Sequence, residues 1–546
     1  MPAHSSRPVG PDIRAVFDDE GDLVGLQPAS DRQIAFLAGD RLSGEQTRAL
    51  LASFPLRAGV SSVMLVGDSN SAFAWDQGPS VTAITANGDG TATVTFSGSH
   101  NWTTGQTITV NNSPTRALNV FSASVTAIVN SGTFSVTYTL TGRTSPVTSA
   151  AAASTQTLHM LRYSPIGYPA WLEALQSRRL GYVLAAAGGS DAEQALLMYD
   201  DAIEEAAEAR VSDIVVMIGT VDVFSRALSF ADAQASIKAL MDRIVATSAA
   251  RVWWLTPPPL NSAASSWSEA KQTVMNRLVR WMWRYANQIG AFPIDSWRGA
   301  QNGAAFVDAT ASNPDATTSF LQSDNTHTTC LGALAIARSL DTAWRQVQAT
   351  PALAYQGAHA DTQNQGNALT NSRLTGTGGT KTAGSGTISG DSPDSWTTEI
   401  TSGSGTITLT NPARTVATDG DADGFNLQVI PSVAALTWRI LQSGIHSALT
   451  VGEVREAYWP ITITSAAGLT GIELILFGTK SSGGNENIGF AGTSVAITGA
   501  FSGVIRIPRW TVPSGLTALS MFIRFTQTGT PAGTFILGKP CLELVE

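Results

Sequence analysis

Four stretches of the chain are apolar without alternation and stop at a turn signal: VSSVMLVG (60–67), GYVLAAAGG (181–189), SDIVVMIGT (212–220) and ARVWWLTPPP (250–259). A run with no polar side fits a strand buried on both faces, as in a parallel sheet. Between these runs lie AEQALLMYDDAIEEAAEA (192–209), FADAQASIKALMDRIVATSA (230–249) and SEAKQTVMNRLVRWMWRYANQIG (268–290). Their apolar residues recur every three or four positions, the spacing of a half-buried helix. The last is predicted to start at Ser268 as N-cap and to stop at Gly290 as C-cap. Strands alternating with helices predict a parallel sheet with helices on both faces. In such sheets the ligand crevice lies beyond the carboxyl ends of the strands.

A different pattern interrupts this plan. Residues 79–155 contain SVTAITANGDGTATVTFSGS, GQTITVNN and GTFSVTYTLTG, which alternate with period two and are rich in Thr and Val. They predict a small β-domain inserted into the first βα connection. Before the α/β pattern, residues 1–57 read as a leader, with a hairpin in IRAVFDDEGDLVGL and a short helix in GEQTRALLASF; the leader is a candidate virion attachment or oligomer contact. After it, residues 349–385 have the composition of a linker or of a loose entry to the next domain. Residues 386–546 carry short strand-like runs such as ALTWRIL and LSMFIRFT, which predict an antiparallel sandwich. Trp396, Trp438, Trp459 and Trp510 in this region could stack on sugars, but a buried core position is the commoner fate of such a residue.

Composition narrows the function. The chain has 546 residues, 43% hydrophobic and 14% charged, with a net charge of -9. Sizeable cores are expected, and a nucleic-acid binder is disfavoured because it would carry a basic patch. Two distant cysteines, Cys330 and Cys541, indicate neither a disulfide framework nor a clustered zinc site. The N-terminus MPAHSSRPVGPDIR has no apolar core of a secretory signal, and no run is long enough to span a membrane. No H-E-x-x-H, G-x-S-x-G or P-loop pattern is present. Asp308 and Asp315 leave a paired-carboxylate glycosidase open, although loop aspartates are more often turn formers.

The candidate chemistry sits at two places. The first apolar run ends in Gly67-Asp68-Ser69-Asn70, so Ser69 is either a helix cap or a nucleophile at a sheet edge. In LQSDNTHTTCLGALAIA, Asp324 precedes His327 by three residues, just before a helical run. Around a turn, that spacing lets the carboxylate orient the imidazole while the other ring nitrogen faces a serine. Read by itself, D-x-x-H is also a common chance pattern in which Asp324 caps the helix.

Taken together, these two blocks resemble the SGNH (GDSL-type) hydrolase superfamily over roughly 58–78 and 156–348. The resemblance implies a flavodoxin-like three-layer α/β/α domain that hydrolyses esters without a cofactor or metal. Ser69 would be the nucleophile, His327 the base and Asp324 its orienter. The oxyanion hole would use the backbone N–H groups of Ser69 and Gly189, with Gly188 as the alternative. Where the family has an asparagine donor, in a G-x-N-D block, this chain has Gly219-Thr220-Val221-Asp222. Val221 has no side-chain donor, so Thr220 or Asn70 is the candidate substitute. The insert is similar to small β-modules of phage tail proteins, and the C-terminal region to jelly-roll carbohydrate-binding modules. The whole then reads as a deacetylase of a bacterial surface polysaccharide, carried as a trimeric phage tail fibre or tailspike and acting outside the host. The rival readings are a sugar-binding adhesin with a weak or inactive site and a lipase-like intracellular esterase.

Overall fold

The computed structural model describes, with short internal gaps, residues 61–96, 107–111, 120–139, 157–296, 321–347, 367–410 and 427–544, together with Ala150–Ala151 and three strands between Ser5 and Pro28. In the leader, Ile13–Phe17 pairs antiparallel with Leu23–Pro28, as the hairpin pattern predicts, and Ser5–Gly10 adds a third strand. The helix expected at 44–54, together with Asp308 and Asp315, lies outside the described residues.

The apolar runs form a parallel sheet of β1 (Ser61–Gly67), β2 (Leu180–Ala186), β3 (Asp213–Met217), β4 (Arg251–Leu255) and β5 (Phe292–Ile294). Their spatial order is β2-β1-β3-β4-β5, the order of flavodoxin-like doubly wound sheets. Alternate residues of β1 face opposite layers. Val63 and Leu65 pack toward α1 (Tyr168–Leu175) and α5 (Cys330–Val347), whereas Met64 and Val66 pack toward α2 (Ala192–Glu208), α3 (Phe230–Thr247) and α4 (Glu269–Ile289). The capping signals of α4 act as predicted: Ser268 accepts from the Lys271 N–H, and Gly290 closes the helix in the left-handed conformation. Trp344 of α5 stacks on Trp253 of β4, which stacks on Phe292 of β5. This fixes the helix that follows His327 against the sheet.

The chain leaves the α/β layers after β1 and returns along Thr157–Tyr163. This return strand pairs with Trp75–Gln77, where the excursion begins, and with Thr107–Asn111 of the inserted sheet. The inserted sheet therefore runs past residue 155 into the strand that re-enters the α/β layers. On the edge opposite Trp75–Gln77, beyond its pairing with Thr107–Asn111, the return strand pairs with β6 (Asn485–Ile497) of the C-terminal sandwich, Arg162 opposite Gly489 and Tyr163 opposite Phe490. Insert and sandwich thus belong to one continuous sheet, a long-range pairing that no local pattern encodes.

The segment expected as a linker is ordered where the structure describes it. Thr380–Thr382 pairs in parallel with Thr397–Glu399, and the Ala368 N–H donates to the Leu542 carbonyl. Asn371 holds the turn between them, donating to the Thr375 and Asp394 carbonyls. Side-chain amides do here what an apolar pattern does elsewhere, and the described part of the segment forms the entry to the sandwich. The four sandwich tryptophans are all buried: Trp438 stacks on Phe525, and Trp396 meets Trp459 edge-on. None of them offers a face to a sugar.

The sandwich does not hang from the α/β layers. Trp171 of α1 packs edge-on against Phe490 of β6 and Phe501 of β7 (Phe501–Arg506), and Arg338 of α5 donates to the Ala500 carbonyl. One apolar core runs from β1 through α1 and α5 into the sandwich.

Candidate active site

The first turn after β1 explains itself from Gly67. A Cβ there would lie 2.1 Å from the Met217 carbonyl oxygen, and φ is +154°, so only glycine lets β1 and β3 end side by side. Asp68 follows. Its carbonyl accepts from the N–H groups of Ser71 and Ala72, and its Oδ1 accepts from the Asn70 N–H at 3.1 Å. Asp68 is therefore the cap of the short helical turn Ser69–Ala72. The Ser69 hydroxyl is left for another partner.

That partner is His327. Its Nε2 lies 2.8 Å from Ser69 Oγ, and its Nδ1 lies 2.5 Å from Asp324 Oδ2. The loop carrying it is closed on itself. Asp324 Oδ1 accepts from the backbone N–H groups of Thr326 and His327, Gln322 N–H donates to the His327 carbonyl, and Leu321 bridges to Thr328. Thr328 is buried and donates to the Ile166 carbonyl at 2.9 Å, which braces the loop against the segment following the return strand. Ser69 is 9% exposed, whereas the Asp324 side chain is 47% exposed.

Partial burial works to raise the Asp324 carboxyl. The hydrogen bonds from the His327 ring and N–H and from the Thr326 N–H outweigh it, and the group sits below the usual carboxylate range. Asp68 behaves oppositely. Complete burial pushes it up to about 6, against the opposing effects of the Asn70 N–H, the facing His327 and Thr220. Burial likewise pushes Asp222 up to about 6. The Ala192 N–H, 3.1 Å from its Oδ1, opposes this, and the nearby Asp68 adds to it.

The other expected residues fall at the same end of the sheet with different duties. Gly188 and Gly189 form the turn after β2, with Gly189 exposed at φ +77°. Val221 opens a π-helical turn, Val221–Ser225, and its side chain offers no donor. Thr220 is buried facing Asp68 without a hydrogen bond of good geometry to it, and Asn70 is buried with Oδ1 toward the Thr328 hydroxyl at 3.4 Å. Of the two candidate substitutes, Asn70 has its Oδ1 taken by the Thr328 hydroxyl, and the Thr220 hydroxyl is buried toward Asp68. Asp68, Asp222, Thr328 and Ile166 are site residues that the motif reading passed over. The two aspartates stood inside the quoted blocks, and only their burial marks them. Among the described residues no group of three or more His, Cys, Asp or Glu is arranged to hold a metal ion, and no helix is long and apolar enough to cross a membrane.

No family model and no curated protein matches the chain. Solved structures do. The tailspike protein 4 enzymatically active domain of bacteriophage CBA120 is 13% identical with a TM-score of 0.20, over 28% of this chain and 20% of that one. A carbohydrate acetylesterase family member from Sinorhizobium meliloti is 14% identical with a TM-score of 0.26, over 33% of this chain and 86% of that one. A family 22 carbohydrate-binding module of Clostridium thermocellum Xyn10B is 15% identical with a TM-score of 0.21, over 28% of this chain and 87% of that one.

Proposed function

We propose that the protein is a serine hydrolase acting on esters, with Ser69 as nucleophile, His327 as general base and Asp324 as its orienter. The observation that carries this reading is the hydrogen-bonded series Asp324–His327–Ser69 at the carboxyl end of a parallel sheet. His327 removes the Ser69 proton as Oγ attacks the ester carbonyl. The oxyanion rests on backbone N–H groups, those of Ser69 and Gly189, because Val221 supplies none from its side chain. The alcohol leaves with the proton from His327, and water then cleaves the acyl-enzyme by the same route in reverse.

Within that class, the substrate we favour is an O-acetylated bacterial surface polysaccharide, with the protein working as part of a phage tail fibre or tailspike trimer. Support comes from the chain path: a strand, Trp75–Gln77, begins three residues after the Ser69–Ala72 turn and leads into the insert. The tail setting rests on the resemblance of the insert and sandwich segments to phage-tail and carbohydrate-binding modules. The test offers a short-chain aryl acetate and an acetylated bacterial polysaccharide to the wild-type chain and to Ser69→Ala. Acetate release that is lost in the variant supports the reading. Polysaccharide binding without release by either chain would instead establish the adhesin, the outcome that a missing side-chain oxyanion donor would favour.

A further inference from the structure

The elements that carry Ser69 and His327 are both tied to one short stretch of chain. Ser164–Gly167 is a turn, closed by the Gly167 N–H donating to the Ser164 carbonyl at 3.1 Å, and α1 begins directly after it. On the base side, the Thr328 hydroxyl donates to the Ile166 carbonyl at 2.9 Å, one residue along from His327. On the nucleophile side, the hydroxyls of Tyr168 and Ser71 are bonded at 3.1 Å, and Ser71 lies in the helical turn that Ser69 opens. Tyr168, Ser71 and Thr328 are buried, where a hydrogen bond is stronger than in water.

The stretch is held in turn from the sandwich side. Before it, Tyr163 pairs with Phe490 of β6. After it, the Trp171 indole N–H reaches back and donates to the Pro165 carbonyl at 2.6 Å, while the ring lies edge-on against Phe490 and Phe501. The carbonyls of Pro165 and Ile166 are consecutive along the chain. The one fixed by the sandwich-packed indole therefore adjoins the one that braces the His327 loop. From the α/β side, Tyr182 of β2 donates to the Pro169 carbonyl at 2.7 Å, which fixes the start of α1. Packing alone needs no indole hydrogen bond: Trp438 of the sandwich is as deeply buried, and its Nε1 has no hydrogen-bond partner.

We propose that Trp171 is a positioning residue. Acting through the Pro165 and Ile166 carbonyls, it sets where the loop 321–328 stands, and with it the 2.8 Å separation of His327 Nε2 from Ser69 Oγ. A hydrogen bond weakens steeply as its distance and angle depart from the optimum, so a small shift of the turn parts base from nucleophile. The sandwich is then a working part of the catalytic unit, because the indole that fixes the turn is itself seated on Phe490 and Phe501.

The consequence for rate rests on the proposed esterase; the placement of the loop does not, and it is read separately. The experiment uses the full chain and two matched substitutions. Trp171→Phe removes the indole N–H and keeps an aromatic ring against Phe490 and Phe501. Trp438→Phe makes the same change where no hydrogen bond is lost. Amide hydrogen exchange, compared at matched fractions folded, follows the N–H groups of Gln322, Thr326 and His327, all bonded within the loop. In Trp171→Phe the loop should exchange about tenfold faster while β1 is unchanged, and in Trp438→Phe the loop should exchange as in the wild type. On an aryl acetate, Trp171→Phe should lower kcat about tenfold with KM unchanged. Adding Thr328→Val to it should cost little more than the larger single change, because both act through the same pair of carbonyls. Thr328→Ser, which keeps the hydroxyl, should restore the loop protection lost in Thr328→Val. A loosened loop in a chain that hydrolyses nothing would leave the positioning standing and remove only the esterase. Unchanged loop exchange in folded Trp171→Phe, equal loosening in Trp438→Phe, losses that multiply in the double variant, or no recovery in Thr328→Ser would overturn the proposal.

Discussion

His327 Nε2 stands 2.8 Å from Ser69 Oγ although 258 residues separate the two in the chain. Between them pass the inserted sheet and four of the five strands of the parallel sheet, so the contact is a product of the whole fold. Ser69→Ala should leave the thermal unfolding curve nearly unchanged and reduce ester turnover by at least roughly 10⁴-fold. Steady-state kinetics on an aryl acetate, with circular dichroism as control, measure both.

Asp324→Asn removes the acceptor that fixes the imidazole tautomer but keeps an oxygen for the Thr326 and His327 N–H groups. Turnover should fall by about 10²–10⁴-fold, with KM little changed. A fall in KM affinity alone would assign Asp324 to substrate binding instead.

Thr328→Val replaces a hydroxyl by a methyl group of similar size and strands the Ile166 carbonyl. Stability should drop by about 1–3 kcal/mol, and kcat should drop more than a remote substitution of equal cost would produce. Comparing kcat at matched fractions folded isolates the effect of the loosened His327 loop.

Trp171→Ala opens a cavity where α1 meets Phe490 and Phe501. The expected loss is about 3–5 kcal/mol. Because the core is continuous, wild-type calorimetry should show the α/β layers and the sandwich melting in one transition. A chain cut before the sandwich should fail to fold stably. Two separate wild-type transitions would contradict this.

Asp222→Asn bears on pH and stability. A carboxyl raised in the folded state binds more protons there than in the unfolded chain, so its favourable contribution is complete at acid pH and is lost as pH rises through about 6. Removing the charge should therefore stabilise the protein by about 1–3 kcal/mol at pH 8 and have little effect at pH 4. Melting temperatures at the two pH values give the difference directly.

The parts of this fold that are written locally were legible in the chain. Continuous apolar runs marked β1 to β4 because a strand covered on both sides has no polar face to show. Ser268 and Gly290 marked the ends of α4 because caps act on their own helix. β5, at three residues, is too short for a pattern, and α1, a short buried helix, has no polar stripe. The pairing of Tyr163 with Phe490 spans more than 300 residues and leaves no local trace. Within the site, the spacing of Asp324 and His327 was readable. At Ser69 the local residues left cap and nucleophile open, and only the resemblance favoured the nucleophile; in the structure Asp68 takes the cap and the serine hydroxyl meets His327.

The return strand Thr157–Tyr163 carries a consequence for descent. Along one edge it pairs first with the insert strand Thr107–Asn111, through Thr157–His159, and then with the sandwich strand β6, through Arg162 and Tyr163. Exchange of the insert between related genes, the simplest way to change what stands over the crevice, succeeds only with breakpoints inside that strand's boundaries. A donor segment must arrive with a strand that still matches Gly489 and Phe490, or the sandwich must travel with it. Variation among relatives should accordingly concentrate in the insert's outer strands, while the return strand and its sandwich partner are inherited together.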